Sequence, residues 1–489
     1  MKEEISSYHI FMFPFSLKGC GTREEYEKYL HLNDWANEDF NYSKGDYARN
    51  FSAQAYFYEF ASGALFDDNS PYKVIATYKL AIGEQAKYTI NMRALDKGKI
   101  KKEHSYCLDI DKIELNIYDE KVAILSFHLS NAKYSAIEDI LNINDFGRHI
   151  FPQFLSKNEN NEVDVQNTKN SFLADSIKID LGNGHVYEDN FTRYNNMQAQ
   201  PFVLPDFIAG ILPKEMHNAH WLLDDRMFVL SWYKNEEFAA KLKSYDPDDI
   251  DKSNEMYARW YEYVFVDNDG PTCKSNTMFS HLLKSATYDR WAEERGTLFG
   301  ASRYSFVAIE NSNFILQHMQ TVYYLMASLC LAQRTLSLYY SNEISDICKR
   351  MNDESLKGSS LYNEVRELNR DYLRFVNNIF FREITPQDQG AELYNLMQSQ
   401  MHVGRDEKEL NTEIEQLYQY VNMTGDQRRN KEAQDLNLIA TLMLPATVIA
   451  GIFGMNSLSE VNLGFGIEVV VIVVFSIIMF YAIKILGKK

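Results

Sequence analysis

The stretch from Leu436 to Asn456 reads LNLIATLMLPATVIAGIFGMN, and its reading decides how the chain is built. It carries no charged residue from Leu436 to Met455, about the length a helix needs to cross the hydrocarbon core of a bilayer. A short polar loop follows, in which Glu460 is the one charge, and Ile467 to Leu486 is a second apolar run rich in Val and Ile. Two spans joined by a hairpin loop are therefore expected at the C-terminus.

Stepping alternately by three and four along the first span gives Asn430, Ala433, Asn437, Ala440, Leu444, Thr447, Gly451 and Gly454, one helix face that is small or polar nearly throughout. The opposite side carries Leu438, Ile439, Leu442, Val448, Ile449, Ile452 and Phe453. A stripe of this kind either lets helices approach closely or lines water, and Asn430, Asn437 and Thr447 favour water. A single hairpin encloses nothing, so a water-lined stripe requires several copies around an axis. Pro445 beside Leu444 removes one intrahelical hydrogen bond and marks a place for a kink. Orientation follows from the basic residues: Arg428, Arg429 and Lys431 precede the first span, Lys484, Lys488 and Lys489 end the second, and the loop has none. Both termini are expected on the cytoplasmic side of the cell's inner (plasma) membrane.

The remainder has the composition of a water-soluble part. A formal charge of −18 argues against nucleic-acid backbones as partners and suits either plain solubility or attraction of cations. Five cysteines without a CxxC pair imply no zinc or disulfide framework. No P-loop, HExxH, GxSxG or dinucleotide fingerprint occurs, so neither an enzyme nor a resident cofactor is expected. Runs at Tyr8–Phe15, Tyr72–Ala81, Ile113–Tyr118, Val122–Leu129 and Met227–Trp232 read as strands, and Tyr47–Ala61 and Ala136–Leu141 as helices. Long helices are expected over Asn313–Tyr340 and Leu361–Phe381, and Leu410, Ile414, Leu417 and Val421 keep the spacing of a packed stalk interrupted at Gly425. The loop Ser244–Lys252, with Asp246, Asp248, Asp249 and Asp251, is acidic but lacks the spacing of a calcium loop. The expected fold is thus an α+β cytosolic domain (1–305), a helical region and stalk (306–435), a first span (436–456), an outer loop (457–466), a second span (467–486) and a basic tail (487–489).

Gly454-Met455-Asn456, ending the first of two C-terminal spans, resembles the CorA family of divalent-cation channels. The resemblance is specific over Asn430 to Lys489 and looser upstream. It implies a homopentamer in the lipid bilayer that passes divalent cations, Mg²⁺ first among them, through a ring of neutral carbonyls. Mg²⁺ gives up its water reluctantly, and the Asn456 carbonyl suits a hydrated ion, Gly454 admits the backbone to the axis, and Met455 packs behind the turn. The resemblance also places Leu444 and Leu436 in apolar rings that close a pore by dewetting, and Asn430 in a polar ring at the inner entrance. Ala433 stands where relatives often have a larger apolar residue.

A second resemblance rests on Tyr8 to Phe15, on Asp224-Asp225-Arg226-Met227-Phe228-Val229, on Tyr288-Asp289-Arg290-Trp291 and on Gly300 to Ser305. These look like the CorA-type membrane effectors associated with type III CRISPR systems, whose cytosolic domain senses a nucleotide messenger such as an adenylated S-adenosylmethionine. On that resemblance Arg226, Arg290 and Arg303 are candidates to grip phosphate, and Trp291 and Tyr304 to stack on adenine; the competing reading pairs the arginines with nearby acids and puts the rings in the core. Two further readings compete: a housekeeping Mg²⁺, Co²⁺, Ni²⁺ or Zn²⁺ transporter gated by intracellular ions, and a membrane-anchored binding protein with no pore.

Overall fold

A computed structural model describes residues 4–37, 47–66, 74–96, 99–158, 160–163, 165, 173–195, 204–351 and 359–453, and beyond these 470, 473, 474, 477 and 478. The chain divides into two compact units, the first made of residues 1–346 and 370–411, the second of 347–369 and 412–489.

The first unit is built on one large sheet. In chain order its strands are β1 (Ser7–Ser16), β2 (Trp35–Asn37), β3 (Ile75–Leu80), β4 (Lys87–Asp96), β5 (Lys99–Tyr118), β6 (Val122–Asn131), β7 (Ser176–Asp180), β8 (Val186–Asp189), β9 (His220–Trp221), β10 (Phe228–Lys234), β11 (Thr287–Trp291), β12 (Thr297–Ser302) and β13 (Ser305–Glu310). They run in the spatial order β11-β12-β13-β10-β1-β6-β5-β4-β7-β8, with β2 and β3 branching from β5 and β9 beside β1. Every pairing is antiparallel except β10 with β13. All ten residues of β1 are buried, because its aromatic and aliphatic side chains meet covered faces on both sides of the sheet. Pro14 has no N–H to give to a ladder, and it lies where β1 changes neighbour: β10 pairs as far as Met12, and β9 begins at Phe15. The β5–β6 turn places Asp119 and Glu120 both at positive φ, 48° and 58°, the two-residue geometry that matches the twist of a hairpin.

The strands expected from the sequence are present, and β5 extends far upstream of the expected Ile113, through a stretch in which buried Tyr106, Leu108 and Ile110 alternate with exposed Cys107, Asp109 and Asp111. The helix expected over Tyr47–Ala61 is two helices, Tyr47–Tyr56 and Glu59–Phe66. Tertiary hydrogen bonds hold the break open: Tyr58 N–H donates to the Ile384 carbonyl at 3.0 Å, and the Thr385 hydroxyl donates to the Tyr56 carbonyl. The helix expected from Asn313 begins at Leu316, pauses at Thr321 and resumes as Val322–Met351. The sheet meets this long helix through polar groups as well as apolar ones. Tyr324 O–H donates to Ser126 and accepts from Asn116, and Tyr118 bonds Ser328 at 2.7 Å.

In the second unit, Ile347, Val365, Leu368, Ile414, Leu417 and Val421 are buried, at the spacing of helices packed on one apolar stripe. Arg350 pairs with Glu364 at 2.6 Å. The helix that begins at Val403 is continuous to Phe453, so Gly425 does not interrupt it and the backbone stays helical through Pro445.

Candidate functional site

Continuity of Val403–Phe453 places Asn430, Ala433, Leu436, Asn437, Ala440, Leu444, Thr447 and Gly451 on one helical backbone at the spacing of a stripe. Asn430, Ala433, Leu436, Asn437 and Ala440 are all exposed, and Leu436 keeps 67% of its surface. Lys431, Gln434 and Asp435 are exposed too, so in a single chain exposure does not single out the stripe. The side chains of Leu444, Thr447 and Gly451 are not described. Gly454, Met455 and Asn456, the loop with Glu460, and most of the second span lie outside the described residues. Of that span, Val470, Val473, Val474, Ile477 and Ile478 are helical and exposed, an apolar face at three-four spacing. Among the described residues no helix is long and apolar enough to cross a membrane.

The five residues singled out in the first unit fall in two places. Arg226, Arg303 and Tyr304 come together where β10 begins and where β12 turns into β13. The Tyr304 ring meets the guanidinium of Arg226 at 5.5 Å, of Arg303 at 6.0 Å and of Arg334 at 5.2 Å. Arg226 is also paired with Asp224 at 3.2 Å and Asp225 at 3.1 Å, so the expected local pairing with acids holds for it. Beside it, Arg148 is buried; one nitrogen reaches the Val266 carbonyl and Asp145, while Nε and Nη1 lack a hydrogen-bond partner. Burial pushes the Asp225 carboxyl up, but His149, Asp224 and Arg226 more than offset this and hold it well below the usual carboxylate range. Arg148 and Arg334 escaped the sequence reading. Arg334 left a signal, since Gln333-Arg334-Thr335 is a polar break in a long apolar helix, and its Nη1 donates to the Arg303 carbonyl at 2.7 Å.

Arg290 and Trp291 lie elsewhere, on the edge strand β11. Arg290 pairs with Glu392 at 2.9 Å, Tyr288 O–H donates to the same carboxylate, and Trp291 Nε1 donates to Gln389 at 3.0 Å. They border a cavity of about 470 Å³ whose wall includes Arg295, Phe314, His318 and Tyr323. Arg295, Phe314 and His318 were not singled out by sequence, because nothing in their spacing shows that they meet Trp291.

Two aspartates of the acidic loop have partners within the chain. Asp248 pairs with Lys284 at 2.6 Å, and Asp251 accepts from the backbone and hydroxyl of Ser253. Among the described residues no group of three or more His, Cys, Asp or Glu side chains is placed to hold a metal.

Residues 323–486 match the family described as CorA-like Mg²⁺ transporter protein. The C-terminal third of the chain is similar to the CorA-like transporter domain. The matched segment starts inside the Val322–Met351 helix, takes in the whole Val403–Phe453 helix, and includes Gly454-Met455-Asn456 and all of the second apolar run. It leaves the sheet, with both arginine sites, outside the CorA-like segment except for Tyr323, Arg334 and the helix bearing Gln389 and Glu392. No curated protein matches the chain. The CorA-like domain supports divalent-cation transport, with Mg²⁺ as the family's ion and a membrane as its place.

Proposed function

We propose that the protein is a CorA-like Mg²⁺ channel that opens and closes under control of a nucleotide messenger bound by its N-terminal unit, and that it acts on membrane permeability as an effector of a type III CRISPR system. The observation that carries the transport half is the match over 323–486, which spans the uncharged run and its terminal Gly454-Met455-Asn456. Residues 436–456 and 467–486 cross the bilayer, 457–466 face outward, and both termini are cytoplasmic. Copies of the chain, five by resemblance, surround an axis lined by Asn430, Asn437, Leu444, Thr447 and Gly451. Asn456 holds the first-shell water of the passing ion. The exposed face Val470, Val473, Val474, Ile477 and Ile478 supports contact of the second span with lipid.

Two features support the sensing half. The N-terminal unit carries a large sheet domain outside the CorA-like segment, and it presents an arginine–tyrosine cluster at Arg226, Arg303, Tyr304 and Arg334. The test is Mg²⁺ flux into liposomes containing the purified chain, with and without a panel of adenine-nucleotide messengers. Flux that appears with one messenger, and is lost in Arg303→Glu, is the expected result. Steady flux indifferent to nucleotides and suppressed by internal Mg²⁺ would instead make the protein a transporter regulated by its own ion.

A further inference from the structure

We infer that the cavity beside β11 is a binding site for a planar aromatic molecule carrying a negative charge. The inference goes beyond the messenger reading, because it concerns occupancy of this cavity whatever its effect on ion flux. A volume of about 470 Å³ is in the range that encloses a small organic ligand. Its distinguishing feature is Arg295. The guanidinium lies 5.0 Å from the Trp291 ring and 5.7 Å from the Phe314 ring, so two aromatic faces flank one cation. Its nearest ion-pair contact is with Glu294 at 3.8 Å, too long for a hydrogen bond, which leaves much of the charge available.

The other charges at the cavity do not compete for that role. Arg290 is committed to Glu392, and the Glu310 carboxylate is occupied by Trp232 Nε1, the Ile315 N–H and the Ser312 hydroxyl. Glu310 and Asp388 in the wall balance Arg290 and Arg295, so an anion is recognised locally at Arg295 and not by a net positive field, which favours a ligand with one anionic group over a polyanion. His318 lies between Phe314, at 6.2 Å, and Tyr323, at 5.8 Å, its ring tilted to both, and extends the aromatic wall. The walls thus supply an aromatic surface with a cation beside it.

The probes are 5′-AMP, benzoate and neutral adenosine, titrated into the full-length protein in detergent micelles and read by tryptophan fluorescence, with Trp291→Phe identifying the signal from this indole. Binding of 5′-AMP or benzoate at least tenfold tighter than adenosine, weakened at least tenfold by Arg295→Gln and by Phe314→Ala, is the expected result. Phe314 is largely exposed, so its truncation leaves the core intact. Preference between the two anions tells a phosphate ligand from a carboxylate. Equal binding of adenosine, indifference to Arg295→Gln, or no binding of either anion overturns the inference. The same samples in the flux assay keep the two ideas apart. Binding without a change in flux leaves the cavity assigned and removes the sensor; gating that survives Arg295→Gln and is lost in Arg303→Glu moves the sensor away from this cavity.

Discussion

Strand β1 and the helical stretch from Asn430 to Ala440 are opposite kinds of structure. Every residue of β1 is buried within its own chain, whereas each residue of the helical stretch whose side chain is described is exposed. The first has found all its partners in one copy of the protein. The second holds its shape through backbone hydrogen bonds, and its Leu436 and Ala440 are left exposed. On the proposed reading, the difference separates what one chain can stabilise from what an assembly in a bilayer completes, and function is expected at the incomplete end.

The sharpest way to break this contrast is Asn456→Ala. The change removes a water-binding carbonyl and little packing, so Mg²⁺ flux into liposomes should fall by more than tenfold while oligomer mass in detergent is unchanged. Unaltered flux removes Asn456 from the filter. Next in size is Leu444→Ser, which replaces an apolar ring by one that stays wet and should raise basal flux severalfold without any messenger. If it conducts no better than the parent, the gate lies at another level.

Much of this was legible in the sequence, for physical reasons that differ by region. The uncharged run and its Gly-Met-Asn end are local signals that need no tertiary information. β1, β6 and β10 were readable because apolar strand runs betray themselves over a few residues. The parallel pairing of β10 with β13 was not, since it joins Val229 to Ser305 across long sequence separation. β5 upstream of Ile113 was passed over although Tyr106, Leu108 and Ile110 alternate at strand spacing, because a register shift between Ile110 and Lys112 puts that alternation out of phase with the Ile113–Tyr118 run. The arginines show the same limit: Arg226, Arg290 and Arg303 were singled out together, yet folding sends Arg290 to one place and the other two to another. Arg295 gains its meaning from Phe314, a neighbour that no local rule supplies.

The completed region also carries a pH dependence. His9 and His128 are fully buried, and burial lowers both to about 4, against weaker support for the charged form from Asn144 and Glu114 respectively. A histidine whose pKa is depressed on folding binds fewer protons than the unfolded chain between those two values, so stability present above about 6.5 is lost as pH falls. Asp119 acts in the other direction, since burial raises its carboxyl to about 6 despite Arg374 and Lys121, and it favours the folded state as pH drops below that value. Two histidines outweigh one aspartate, at roughly 1.4 kcal/mol per unit of pH for each group. The urea midpoint of the N-terminal unit, followed by tryptophan fluorescence in micelles, should therefore fall by the equivalent of about 2 kcal/mol between pH 7 and pH 5. A flat profile would mean that the two histidines together do no more than offset Asp119.

The smallest effect uses one substitution with opposite signs. At Gly147, at the end of the Ile137–Arg148 helix, an added Cβ would lie 2.8 Å from the Phe11 ring and from Ile90 Cδ1, in the heart of the sheet core. Neither neighbour is free to retreat from a close-packed interior, so Gly147→Ala should destabilise the unit by about 1–3 kcal/mol. At Gly404, in the first turn of the Val403–Phe453 helix, an added Cβ meets nothing within 4 Å. There alanine restricts the unfolded chain and suits the helix, so Gly404→Ala should stabilise by a few tenths and at most about 1 kcal/mol. Opposite shifts in the urea midpoint would confirm that the sheet is packed to its limit while the helix surface has room. Equal shifts would mean that the core around Phe11 can yield as easily as open solvent, and the contrast between a closed core and an open helix surface would lose its basis.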